Sequence, residues 1–256
     1  MLTRQLLPAA LAGLAALLGG ACNSRPVTGR LSIAAASDLQ FALAEAGKQF
    51  HREYRHAEVA IDYGSSGNFY AQIRNGAPFD MFLSADVQYP RLLAQQGLAR
   101  ADSVFIYAAG RLAVWVPSFS SLDPSTALRD PTVRRIAIAN PQHAPYGRAA
   151  EAALRHMGLY EALEKKLVLG ENISQTLQFV QSGAADVGLV ALSLAVAPAV
   201  RSQGRYWEVP LDAYPKMEQG GVILKDSAVA REFRAWLLAP AGRRLLKQYG
   251  FYLPGE

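Results

Sequence analysis

Apolar and polar positions along the chain switch repeatedly between two periods. "RLSIAAAS" is a short apolar run ending in Ser37, and beyond it Leu39, Leu43, Ala46 and Phe50 recur at spacings of four, three and four, one face of a helix. "HAEVAIDYG" alternates through Ala57, Val59, Ile61 and Tyr63, which predicts a strand. "SGNFYAQIRNG" predicts a short helix closed by Gly76, "FDMFLSAD" a strand, and "VQYPRLLAQQG" the next helix. Strand and helix in strict alternation point to a parallel sheet covered by helices.

The long strand-like run "VFIYAAGRLAVWVP" then carries a glycine near its middle, as a crossing between two lobes would. The pattern restarts after it. "RRIAIANP" predicts a strand, "YGRAAEAALRHMG" a helix ended by Gly158, "ISQTLQFVQSG" a helix ended by Gly183, and "ADVGLVAL" a buried strand. "YWEVPLDAYPKMEQGGVIL" offers a return crossing, and the tail is helical on both sides of Pro240. The expected architecture is two α/β lobes joined by two crossings. Residues 31–108 and 212–256 form one lobe in this reading and 109–211 the other.

Composition adds a leader. "MLTRQLLPAALAGLAALLGGAC" has one charge, an apolar run from Leu6 to Leu18 and small residues before Cys22. The run is shorter than the ~20 residues a membrane span needs, so residues 1–21 are expected to be a signal peptide, followed by a linker over 22–30. Cys22, the only cysteine, resembles the lipidated first residue of a bacterial lipoprotein; ordinary cleavage after "GGA" is the alternative. Either way no disulfide is available, and 51% apolar residues must hold the fold. Without the leader the chain has 25 basic and 21 acidic residues, scattered, with no basic run interleaved with aromatics. Nucleic acid is not an expected partner.

The chemistry concentrates at three turns that follow strands, with a fourth candidate at the start of a helix. Ser37 and Asp38 follow "IAAA", Ser65 and Ser66 follow "IDYG", "NPQHAPYG" follows "IAIA", and "GENIS" opens the helix beginning near Ile173. Ligands of open parallel sheets bind outside the carboxyl ends of the strands. Hydroxyls and helix-end amides there suit a small oxyanion without any Lys or Arg, and none appears after "GSSG" until Arg74. Each turn alone reads equally as a helix cap or tight turn; the set is what points to a site. A hydrolase is the rival class, but "YGSSG" is not the Gly-x-Ser-x-Gly elbow. His51, His56 and His156 read as surface or packing residues, His143 alone lies in a site loop, and no metal-ligand spacing occurs.

"AAASDLQFAL", "GSSGNFYAQIRNGAPFDMFLSAD", "ANPQHAPYG" and "SGAADVGLVAL" together resemble the periplasmic molybdate-binding proteins of ABC importers, from about Leu31 to Phe251. The resemblance implies the two-lobed periplasmic binding fold, molybdate or tungstate held between the lobes, a membrane permease as partner, a monomer, no cofactor and no catalysis. It places the hydroxyls of Ser37 and Ser66 at the anion, with Asp38 and Ser65 beside them and main-chain donors at Tyr146 and Ile173. A tyrosine that some members carry near the end of "GLVAL" is replaced here by Ala191. Sulfate or a phosphate-like anion would suit the same fold. Asp38 bears the anion's own sign, so its side chain is expected to turn back and cap the helix starting at Leu39, staying ionised near neutral pH.

Overall fold

The computed structural model describes residues 27–255; the expectations for residues 1–21 and for Cys22 lie outside them. β1 (Gly29–Ala36) passes through a 3-10 turn (Ser37–Leu39) into α1 (Gln40–Glu53), followed by β2 (Ala57–Gly64), α2 (Ser66–Arg74), β3 (Met81–Ser84), α3 (Gln88–Gln95) and β4 (Val104–Gly110). The second half runs β5 (Leu112–Pro117), β6 (Ile136–Ala139), α4 (Pro145–His156), α5 (Tyr160–Leu163), β7 (Leu167–Gly170), α6 (Ile173–Gln181), β8 (Val187–Ala191), α7 (Leu192–Ala195) and β9 (Gly204–Glu208). β10 (Met217–Ile223), α8 (Ala228–Leu238) and α9 (Pro240–Gln248) complete it.

Among the described residues ten strands form two five-stranded sheets, ordered β2-β1-β3-β10-β4 and β7-β6-β8-β5-β9. Each sheet has four strands pointing one way and one reversed, β10 in the first and β5 in the second. The reversal follows from connectivity. β4 ends at Gly110 and β5 begins at Leu112 in the other sheet, with Arg111 alone between them. A strand entering a sheet directly from the neighbouring lobe starts at the cleft and runs away from it, opposite to strands whose carboxyl ends face the cleft. β10, entering from β9 by a 3-10 turn at Leu211–Ala213, obeys the same constraint.

The helices lie where the apolar spacing places them. Leu39, Leu43, Ala46 and Phe50 are all buried, and Phe50 stacks on Tyr54 at 4.5 Å and meets Phe233 edge-on at 5.2 Å. This knits α1 to α8 on one face of the first sheet, burying several aromatic and aliphatic side chains worth ~1.5–3 kcal/mol each. In the second lobe Trp115, Ile136, Leu154 and Leu177 belong to one buried cluster. Gly158 and Gly183 take φ of +66° and +75°, the left-handed conformation that ends α4 and α6 as expected. β7 was not anticipated; it is a four-residue edge strand with Leu169 about half exposed, so it shows no burial period.

Candidate functional site

Four turns meet at the carboxyl ends of the strands. Ser37 and Asp38 follow β1, Ser66 opens α2, Tyr146 is the second residue of α4, and Ile173 opens α6. All five line a single pocket, and each is at most 4% exposed. Even counting its mouth the pocket offers about 190 Å³, below the ~300–1,000 Å³ typical of sites for drug-sized molecules. The first amides of a helix have no intrahelical acceptor and carry the positive end of its dipole. Three such ends converge on a small space, and no Lys, Arg or His lines it.

The hydroxyls are set up to donate. The Ala85 N–H donates to Ser66 Oγ at 3.0 Å, and the Ser174 N–H approaches Ser37 Oγ at 3.4 Å while donating to the Asn172 side chain at 3.0 Å. With an amide feeding its oxygen, each hydroxyl keeps its proton free for the pocket. Ser65 does something else: its Oγ donates across the cleft to the His143 carbonyl at 2.8 Å. Two serines missed in the sequence hold the β1 turn from the second lobe, Ser174 Oγ donating to the Ser37 carbonyl and Ser193 Oγ to the Asp38 carbonyl, both at 2.9 Å. Each is the second residue of a helix, so the sequence offered only the appearance of ordinary first-turn serines.

Asp38 departs from expectation. It caps nothing: α1 begins at Gln40, and no side chain bonds the start of the 3-10 turn. Instead its Oδ2 accepts from Gln219 Nε2 at 2.5 Å, while Oδ1 is buried without a hydrogen-bond partner. The register of β10 against β4 shifts between Gln219 and Gly220, an irregularity of the kind that re-aims side chains. It brings the fully buried Gln219 amide into reach of both Asp38 and the Tyr146 hydroxyl, 3.3 Å away. The Tyr107 hydroxyl lies 3.1 Å from Gln219 Oε1 and 3.0 Å from the Ser84 carbonyl, to which it also donates. Burial pushes the Asp38 carboxyl up, hydrogen bonds with Gln219 and Tyr146 pull the other way, and the balance stands at about 6. Burial, reinforced by Asp38, holds the Tyr107 and Tyr146 phenols well above their ordinary range, so both stay neutral.

A family model for bacterial extracellular solute-binding proteins matches residues 31–252. The chain belongs to this family. Within that family it is 36% identical over 250 residues to the molybdate-binding protein ModA of Rhodobacter capsulatus, covering 96% of this chain and 97% of that one. The solved periplasmic molybdate-binding protein of Azotobacter vinelandii is 37% identical and superposes with a TM-score of 0.81, over 88% of this chain and 99% of its own. A sulfate-binding protein of Mycobacterium tuberculosis, 15% identical with a TM-score of 0.70 over 88% of this chain and 87% of its own, shares the fold alone.

As expected of a solute-binding fold that encloses its ligand, the lobes touch around the pocket. Gly67 N–H donates to the same His143 carbonyl at 2.8 Å, Asn68 hydrogen-bonds Glu171, and the His143 ring lies 3.6 Å from the Glu171 carboxylate. Arg148 of α4 pairs with Asp86 at 2.7 Å and donates to the Tyr89 hydroxyl at 3.2 Å. His143 itself is outside the pocket lining, and Ala191 is buried in β8 opposite Leu112. Among the described residues no group of three or more His, Cys, Asp or Glu is placed to hold a metal ion.

Proposed function

We propose that this solute-binding protein captures molybdate or tungstate outside the cytoplasm and delivers it to the permease of an ABC importer. The observation that carries the reading is the convergence of three helix N-termini and two hydroxyls on a small pocket that no cationic side chain lines. Such a site pairs the oxygens of a compact oxyanion with fixed dipoles, and hydrogen bonds to a charged acceptor are roughly twice as strong as neutral ones. The names of the relatives, most of the chain matched, favour molybdenum over other oxyanions. In this reading Ser37 and Ser66 donate their hydroxyls, and Asp38, Tyr146 and Ile173 their backbone N–H groups. Residues 31–108 with 212–256 form one jaw and 109–211 the other. The protein acts as a monomer without a cofactor and catalyses nothing, and Cys22, if lipidated, ties it to a membrane.

The test is thermal unfolding of anion-free protein with a panel of oxyanions. Ligand at ~100 times its Kd adds ~2.7 kcal/mol to the folded state. Molybdate and tungstate should raise the melting temperature at concentrations where sulfate and phosphate do nothing. Equal shifts with sulfate would remove the molybdate assignment.

A further inference from the structure

The lining of a pocket suited to an anion includes an aspartate, Asp38. Asp38 is 1% exposed, with Oδ2 held by Gln219 and Oδ1 buried and unpartnered. The groups that face it are Tyr107 from β4, Gln219 from β10 and Tyr146 from α4, while the Ser193 hydroxyl from α7 engages its carbonyl; all are neutral. No Lys, Arg or His lines the pocket. An ionised Asp38 would therefore meet a bound anion at short range in a medium of low dielectric, with no cation to offset the repulsion.

We propose, resting on the oxyanion reading above, that the cleft closes over its anion with Asp38 protonated, so that anion and proton are captured together and Asp38 sets the pH range of uptake. The proton comes from solvent and is held on the carboxyl group; no bond of the anion is made or broken, and the anion is held by hydrogen bonds to its oxygens. Because Oδ2 already accepts from Gln219, the proton belongs on Oδ1, where it turns an unpartnered buried acceptor into a donor. Burial, opposed by the hydrogen bonds the carboxyl accepts, brings it to about 6. A bound negative charge moves it further in the same direction. Protons are then taken up as the anion binds, and affinity falls with rising pH by up to about tenfold per unit between the two pKa values.

Titration calorimetry of molybdate in buffers of different ionisation enthalpy, at unit steps of pH from about 6 upward, reads the linked protons directly. The wild-type protein should take up as much as one proton per anion and lose up to about tenfold in affinity per pH unit. Asp38→Asn should bind with no proton uptake and a flat profile. Gln219→Leu, which keeps the carboxyl but removes its donor, should move the decline to higher pH. Wild-type binding whose heat is independent of buffer overturns the inference while leaving the ligand intact, as does undiminished uptake in Asp38→Asn. No molybdate heat at any pH overturns the oxyanion reading, and the inference with it.

Discussion

Gly67 donates its backbone N–H to the His143 carbonyl at 2.8 Å, and a methyl group on its Cα would lie 2.5 Å from that same oxygen. The first turn of α2 therefore docks backbone to backbone on the loop before α4, and the lobes meet at a point where no side chain fits. The obstacle is main chain, which cannot swing aside as the end of a flexible side chain would. Overpacking of this kind costs ~1–3 kcal/mol. It applies only when the lobes are shut.

Gly67→Ala should accordingly weaken oxyanion binding by about 5- to 100-fold, at ~1.4 kcal/mol per tenfold. Its unliganded stability should be unchanged or slightly higher, since Ala is favoured over Gly within a helix by ~1 kcal/mol. Calorimetry and urea unfolding on the same variant check the two signs. Parallel losses of affinity and stability would mean that the contact belongs to the fold and not to closure.

Ser66→Ala has a different signature. It removes a donor to the anion, worth ~1.5–3 kcal/mol or on the order of 10- to 100-fold in affinity. It also leaves the buried Ala85 N–H without the Ser66 oxygen it now bonds at 3.0 Å. Both affinity and unliganded stability should drop, the latter by ~1–3 kcal/mol for an orphaned buried donor. A variant that binds normally but unfolds early would leave Ser66 a purely structural role.

What the sequence made legible follows from locality. The apolar face Leu39–Leu43–Ala46–Phe50 repeats at the helical period, so α1 and its burial could be read directly, and Gly110 within an apolar run marked the crossing. Three of the site turns were visible because strand, hydroxyl or proline, and helix follow each other within a few residues; the fourth, before Ile173, showed only its helix, since β7 ahead of it has no burial period. Strand direction is not written in such patterns, so the reversal of β5 and β10 emerges only from how the lobes connect. Asp38 was misread for the same reason: its capping preference is local, whereas the partner that claims its side chain, Gln219, lies 181 residues away. At His143 it is the carbonyl that receives Ser65 and Gly67, a role the residue type cannot announce.

Cys22 lies outside the described residues, and its modification is decided in solution. If it carries a lipid, the mature protein partitions into detergent and Cys22→Ser releases it to the aqueous phase. Mass spectrometry finding a soluble, unmodified chain that begins near Cys22 would instead establish ordinary cleavage.

Asp38 also leaves a mark on stability without any anion. Burial raises its carboxyl from the ordinary value of 3.8 to about 6, so over that interval the folded protein holds a proton that the unfolded chain has released. Stability from this group is fully present below the ordinary value and is lost as pH rises through about 6. At neutral pH the fold therefore carries a buried carboxylate, and a two-unit displacement corresponds to about 3 kcal/mol. Asp102 and Asp123, both exposed, and the partly exposed Asp130 are held below the ordinary range by their hydrogen-bond partners and act in the opposite sense, so the raw stability profile mixes both signs. Comparison with Asp38→Asn cancels them. The stability of Asp38→Asn relative to wild type should grow with pH by as much as about 3 kcal/mol between about pH 4 and 7, measured by urea unfolding at each pH. A difference that stays constant over that range would mean that the carboxyl titrates as a solvated acid, with the Gln219 contact no cage for it.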